Sequence, residues 1–229
     1  MTDALTYGGD FGAAERVCAA GLARSRDVGD LSTEARLLHQ MAMLHLQARR
    51  TEDAAVHLQE GLLVALQAGG GMALLNGLDC CGHLCAATRR FAEAITVWAA
   101  DAAFFRHEGF TEAPFYVRRR AEPLREARQA LGDAGARAAE ARGAAMSLDT
   151  AAEYALTLTT RESPATAPGQ WELSAGEQEL VTLVAQGRTD AQLYICARTV
   201  SSDLDRIRDR TGCRRRADLT RLALSADLV

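Results

Sequence analysis

The sequence predicts an all-α fold, a helical-repeat solenoid followed by a small C-terminal helical domain. Composition is the first observation: Ala, Leu and Arg abound, aromatics make up 5% and charged residues 24%, a mixture that favours helix over sheet. A second is internal periodicity, since three segments align at a spacing of forty residues. The third is a short Pro-containing stretch, after which a last segment carries helix-start signals of its own. At 229 residues and 48% hydrophobic, one or two domains with a substantial core are expected.

The repeated signal is Asp10-Phe-Gly-Ala-Ala14, Arg50-Thr-Glu-Asp-Ala54 and Arg90-Phe-Ala-Glu-Ala94. Each opens an amphipathic run that is closed by Gly29, Gly69 or Gly109. Glycine there suits the left-handed residue that stops a helix. In the second unit the spacing predicts a first helix over Ser32 to Ala48, with Leu37, Leu38, Met41, Leu44 and Leu46 on its apolar face, and a second helix over Thr51 to Gln67. In the third unit the same pair covers Met72 to Thr88 and Phe91 to Arg106. One such pair cannot bury its own apolar face, so each must stack on the next.

Between residues 159 and 170, Pro164 and Pro168 lie among Ser, Thr, Ala and Gly. Proline lacks an N–H donor and pushes the preceding residue out of the helical region, so this stretch reads as a linker. It divides the chain into residues 1–158, the repeats with a capping helical segment, and residues 171–229. In the second part Ser174-Ala-Gly-Glu177 is a capping box. Thr189-Asp-Ala-Gln192 repeats that device for a helix of about a turn and a half, and a third helix is expected over Arg198 to Thr211. Val200, Leu204, Ile207 and Thr211 recur at helical spacing and are expected inward, with Leu180, Leu183, Val184, Leu193 and Ile195 completing a small core. A fourth helix is expected over Ala217 to Leu228, with Leu219, Leu222 and Leu224.

The order of these motifs, with Val184-Ala-Gln-Gly187, Thr189-Asp-Ala-Gln192, Arg198-Thr-Val200 and Arg216-Ala-Asp-Leu219, resembles the DNA-binding domain of LuxR-type transcription regulators. Ala14, Ala54 and Ala94, with the adjoining helix starts, look like tetratricopeptide repeats of lengthened period. Leu131-Gly-Asp133 followed by Ala144 to Leu156 is similar to the helical segment that precedes the DNA-binding domain in MalT-like members of that family. The resemblances span nearly the whole chain. They imply a tetratricopeptide-like solenoid followed by a helix-turn-helix, a cytoplasmic regulator that binds double-stranded DNA, a protein or peptide partner held by the repeats, and a homodimer through the last helix. The third helix would be the recognition helix. Arg198, Thr199, Ser201, Ser202 and Asp205 would meet the duplex at its N-terminal end, and Arg198, Arg206, Arg210, Arg214, Arg215 and Arg216 would neutralise phosphates.

Three departures weigh on that picture. Five residues separate Gln192 from Arg198, about four fewer than is usual in the family, which removes roughly one turn while nearly preserving the helix face. Cys196 stands where the family usually has a capping Ser. Asp205 directs a carboxylate toward the DNA. A helical-repeat interaction module with a degenerate helix-turn-helix is therefore the alternative.

Charge and composition exclude other classes. All 26 basic residues are Arg, so a Walker A loop, a kinase Lys and a Schiff-base Lys are ruled out within this sequence. The family's large members carry a nucleotide-binding domain, which has no counterpart here, and neither an enzyme nor a cofactor is expected. The net charge of −4 is uneven, with 17 Arg against 21 acids over residues 1–170 and 9 against 9 thereafter. No apolar stretch approaches the roughly 20 residues needed to span a bilayer.

Cys80-Cys-Gly-His-Leu-Cys85 invites a zinc reading. Its spacing within one repeat helix favours packed thiols instead, so no metal is expected. Cysteines 18, 80, 81, 85, 196 and 213 are expected to be reduced. His39, His45 and His57 lack an acid–base pattern and read as core or solvated groups. Arg118-Arg-Arg120, among Glu112, Glu122 and Glu126, reads as a solvated helix face with ion pairs.

Overall fold

The computed structural model describes residues 11–69, 71–159 and 174–185, together with Leu204, Ile207, Leu219, Leu222 and Ala223. Among them the regular structure is entirely helical. The helices are α1 Phe11–Val28, α2 Leu31–Gln47, α3 Thr51–Gln67, α4 Met72–Ala87, α5 Phe91–His107, α6 Pro114–Ala144, α7 Leu148–Thr159 and α8 Ala175–Ala185. No helix among the described residues is long and apolar enough to cross a membrane.

Helices α1, α3 and α5 begin at residues 11, 51 and 91, which is the forty-residue spacing of the sequence. Each is followed by a glycine in the left-handed region, Gly29, Gly69 and Gly109, with φ of +69°, +89° and +70°. At Gly29 and Gly109 the next amide reaches back to close the helix end, Asp30 N to Ser25 O at 2.9 Å and Phe110 N to Phe105 O at 2.9 Å. The same closure follows α2 and α4, but there the left-handed residue is Arg49 (φ 59°) or Arg89 (φ 60°). Arg50 N reaches His45 O, and Arg90 N reaches Cys85 O, both at 2.8 Å. These are Schellman ends, in which satisfying two carbonyls offsets the strain of an L-residue at positive φ.

Each helix packs on its successor through α6, α2 also packs on α4, and α7 lies across α3, α4 and α5. The central member is α4, which buries Leu74, Leu75, Leu78, Cys80, Cys81, Leu84 and Cys85. A helix apolar nearly all round belongs inside a bundle. Ala151, Ala152, Tyr154 and Ala155 of α7 join that core, and Arg90 Nη1 donates to Leu158 O at 3.0 Å. The capping segment starts later than expected. Ala144 ends α6, and Ser147 caps α7 by accepting from Thr150 N at 3.2 Å. Thr159, the first residue of the expected linker, is the last of α7; residues 160–170 lie outside the described residues.

Close approach decides the packing of α4, α5 and α6. A Cβ on Gly82 of α4 would fall 2.2 Å from Trp98 Nε1 of α5, and one on Gly143 of α6 would fall 2.0 Å from Thr96 O. Thr96 Oγ1 donates to Ala92 O at 2.8 Å and lies 3.3 Å from Ala139 O on α6. Helix α6 itself is broken at Gly132, where φ is 69° and ψ 171°. Its second half folds back so that Ala136 and Ala139 pack with Ala127 against Phe91 and Ile95.

Candidate functional site

In the C-terminal segment the capping box forms as the spacing predicts. Ser174 N donates to Glu177 Oε2 at 2.7 Å, and Glu177 N donates to Ser174 Oγ at 3.4 Å. Helix α8 then presents Leu180, Val181 and Val184 to Leu204, Ile207, Leu219 and Ala223, with Leu183 and Leu222 at the edge. Leu204 and Ile207 are helical and buried, as expected for the inward side of the third helix. Leu193, Ile195, Val200, Thr211 and Leu224 lie outside the described residues. So does every expected DNA contact: Arg198, Thr199, Ser201, Ser202, Asp205, Arg206, Arg210, Arg214, Arg215 and Arg216.

A second constellation, which sequence reasoning missed, sits between α4, α5 and the start of α6. Asp79 is the single carboxylate of α4 and is 2% exposed; Asp101 of α5 is also 2% exposed. Both are held by arginines of α6. Arg119 Nη2 donates to Asp79 Oδ2. Arg120 Nη1 donates to Asp101 Oδ2 at 3.1 Å, and Arg120 Nη2 to Glu112 in the loop before α6. The expectation of a solvated Arg118–Arg120 face is therefore corrected. Ion pairs form, but only Arg118 is exposed; Arg119 is partly buried and Arg120 fully so. Helical geometry puts successive residues about 100° apart, so a triplet cannot stay on one face, and the α5–α6 contact takes the third member inside.

Surrounding groups fix these side chains. The Arg119 guanidinium lies 5.1 Å from the ring centres of both Phe115 and Tyr116. Tyr116 Oη donates to Asn76 Oδ1 at 2.9 Å, and Trp98 Nε1 donates to the Asp79 carbonyl at 3.2 Å. His83 Nε2 stands 3.8 Å from Asp79 Oδ2. Burial holds the His83 imidazole down at about 4, against the pull of Asp79, so it is neutral near pH 7. Burial also pushes the Asp101 carboxyl up to about 7, opposed by the Arg120 guanidinium and reinforced by Asp79 and Glu112. The second oxygens, Asp79 Oδ1 and Asp101 Oδ1, have no hydrogen-bond partner. The two aspartates also line a cleft with about 20 Å³ of free space, together with Asn76, Glu112, Tyr116 and Arg120, and with Met72, Leu75 and Phe105 as apolar walls. The sequence signal for this site was a lone carboxylate in an otherwise apolar helical run, Leu78-Asp-Cys80 and Ala100-Asp-Ala102.

Among the described residues, the cysteines of α4 and the histidines of α2 lie in the packed interior. Cys80, Cys81 and Cys85 are buried free thiols, and burial pushes Cys80 up to about 12, far from thiolate chemistry. Cys80 Sγ points to the His39 carbonyl at 3.7 Å, and Cys81 Sγ to the Ala155 carbonyl at 3.9 Å. His39 is buried with neither ring nitrogen hydrogen-bonded. His45 stacks on His57 at 4.8 Å. No family model matches this chain, and no curated protein or solved structure does.

Proposed function

We propose that this chain is a DNA-binding transcription regulator of LuxR type, in which a tetratricopeptide-like solenoid receives a protein or peptide partner and a shortened helix-turn-helix meets the duplex. The observation that carries the reading is the C-terminal core. The capping box opens α8, and Leu204 and Ile207, two of the positions assigned to the inner side of the recognition helix, are helical and packed on Leu180, Val181 and Val184. Support for the repeats comes from helix starts at residues 11, 51 and 91 with matching glycine stops. A cytoplasmic location goes with this reading. Leu219 and Ala223 are fully buried within the chain's own core, so a homodimer through the last helix must use other positions, Leu222 among those described.

Fluorescence anisotropy of a labelled duplex titrated with the full chain tests the proposal. About six phosphate contacts predict a slope of log affinity against log salt near −5. Arg206→Ala and Arg210→Ala should each shallow that slope by about one. Binding that is absent at low salt, or indifferent to both substitutions, would sink the regulator reading. The five-residue spacing from Gln192 to Arg198 favours a second reading, an interaction protein whose helix-turn-helix no longer reads DNA. Inserting four residues after Gln192 should then create the affinity that the natural chain lacks.

A further inference from the structure

We propose that the cleft between α4, α5 and the loop before α6 is a binding pocket for a primary alkylammonium group, with the nitrogen seated against Asp79 and Asp101 and the alkyl stem along Met72, Leu75 and Phe105. Charge balance is the first argument. Three carboxylates, Asp79, Asp101 and Glu112, meet two guanidiniums, Arg119 and Arg120, and His83 beside Asp79 is neutral near pH 7. The cluster is one positive charge short of balance when every acid is ionised. An uncompensated charge in a buried setting is strongly unfavourable, so the site takes up either a proton or a monocation.

Unused acceptors are the second argument. Asp79 Oδ1 and Asp101 Oδ1 are buried without partners, although both residues line the cleft. A native structure rarely leaves two such oxygens idle. An ammonium has three donors and no acceptor, which is the complement of those two oxygens. Size then selects among cations. About 20 Å³ admits a group near the size of one water, which needs on the order of 10–15 Å³; a planar guanidinium with four heavy atoms does not fit. Finally, Met72, Leu75 and Phe105 give the cleft an apolar part, and Met72 is 57% exposed, so a methylene stem has both an apolar surface and a way out to solvent.

Proton and cation compete for the same carboxylates, so binding is linked to pH. The groups facing Asp101 are Arg120 of α6, Asp79 of α4 and Glu112 of the preceding loop. With the Asp101 carboxyl at about 7, affinity should rise roughly tenfold between pH 6 and pH 8, with proton release on binding. The pocket lies wholly between residues 72 and 120, and the inference stands whether or not the C-terminal segment binds DNA; the anisotropy titration and the amine titration can fail separately.

Titration of the full chain by calorimetry and by tryptophan fluorescence, at constant ionic strength, decides the matter. n-Butylammonium should saturate, and tetramethylammonium, which has no N–H and a larger head, should not. Asp101→Asn should abolish the pH dependence and weaken binding at least tenfold while the helical circular dichroism is kept. If that variant fails to fold, the comparison of the two ammonium ions on the natural chain still decides. Nα-acetyl-lysine N-methylamide and its Nε-acetylated form separate the sources. Binding of the first but not the second assigns a lysine side chain of a partner, and binding of butylammonium alone assigns a free small amine. Equal response to tetramethylammonium, no saturation by any primary amine, or unchanged binding in Asp101→Asn overturns the pocket.

Discussion

Arg120 Nη1 lies 3.1 Å from Asp101 Oδ2, and both residues are almost wholly buried, a pairing of α6 with α5 across nineteen residues of sequence. The same guanidinium also holds Glu112. One planar cation thus fixes the α5–α6 turn from both sides.

Removing that cation should be costly. Arg120→Met keeps most of the stem but leaves Asp101 and Glu112 facing each other without compensation, at an expected loss of about 3–5 kcal/mol at pH 8. Arg120→Lys should recover only part of it, because an ammonium cannot fork to two carboxylates. The deficit of Arg120→Met should shrink at pH 5.5, where Asp101 takes up a proton. Urea denaturation at both pH values measures this, and a loss under about 1 kcal/mol at pH 8 would show that the pair contributes little.

Asp101 and His39 should give stability opposite slopes with pH. Burial raises the Asp101 carboxyl to about 7, above its unfolded value near 3.9. Its contribution is complete below about pH 4 and is lost as pH rises through 7. Burial lowers His39 to about 4, so its contribution is present above about pH 6.5 and lost as pH falls through 4. Asp101→Asn should flatten the decline toward alkaline pH, and His39→Leu the decline toward acid. Parallel curves for variant and natural chain would refute the assignment for that residue.

Gly82→Ala should destabilise by about 1–3 kcal/mol, because the added Cβ meets the Trp98 indole at 2.2 Å. Relief requires the ring to move and lose its hydrogen bond to the Asp79 carbonyl. A shifted Trp98 emission with a lowered midpoint is expected. An unchanged midpoint would mean that α4 and α5 can separate freely.

Arg49→Gly should stabilise, by about 0.5–1 kcal/mol. It removes an L-residue from φ 59° while leaving the Arg50 N to His45 O closure intact. Arg89→Gly at the equivalent turn should gain less, since Arg89 also stacks over Phe91 at 5.1 Å and lies 3.9 Å from Glu126. Thermal unfolding separates the two, and a destabilised Arg49→Gly would show that the side chain does more than occupy the turn.

Much of the helical frame was legible because its signals are local. The starts at Phe11, Thr51 and Phe91, the stops at Gly29, Gly69 and Gly109 and the Ser174–Glu177 box each depend on residues within one turn of the feature. The kink at Gly132, the late start of α7 at Leu148 and the burial of Arg120 were not legible. Each depends on what α6 meets when it folds back on α5.

By itself the amino-acid order determined that the described residues are helical, where the helices starting forty residues apart begin and end, and which side chains open the C-terminal helix, since backbone capping and hydrophobic spacing act over three or four residues. Only tertiary structure decided that Asp79 and Asp101 are enclosed rather than solvated, and that Arg119 and Arg120 meet them. Whether a charge is buried depends on which surfaces close over it, and Gly82 and Gly143 set that closure by letting three helices approach within contact of one another's side chains and backbone.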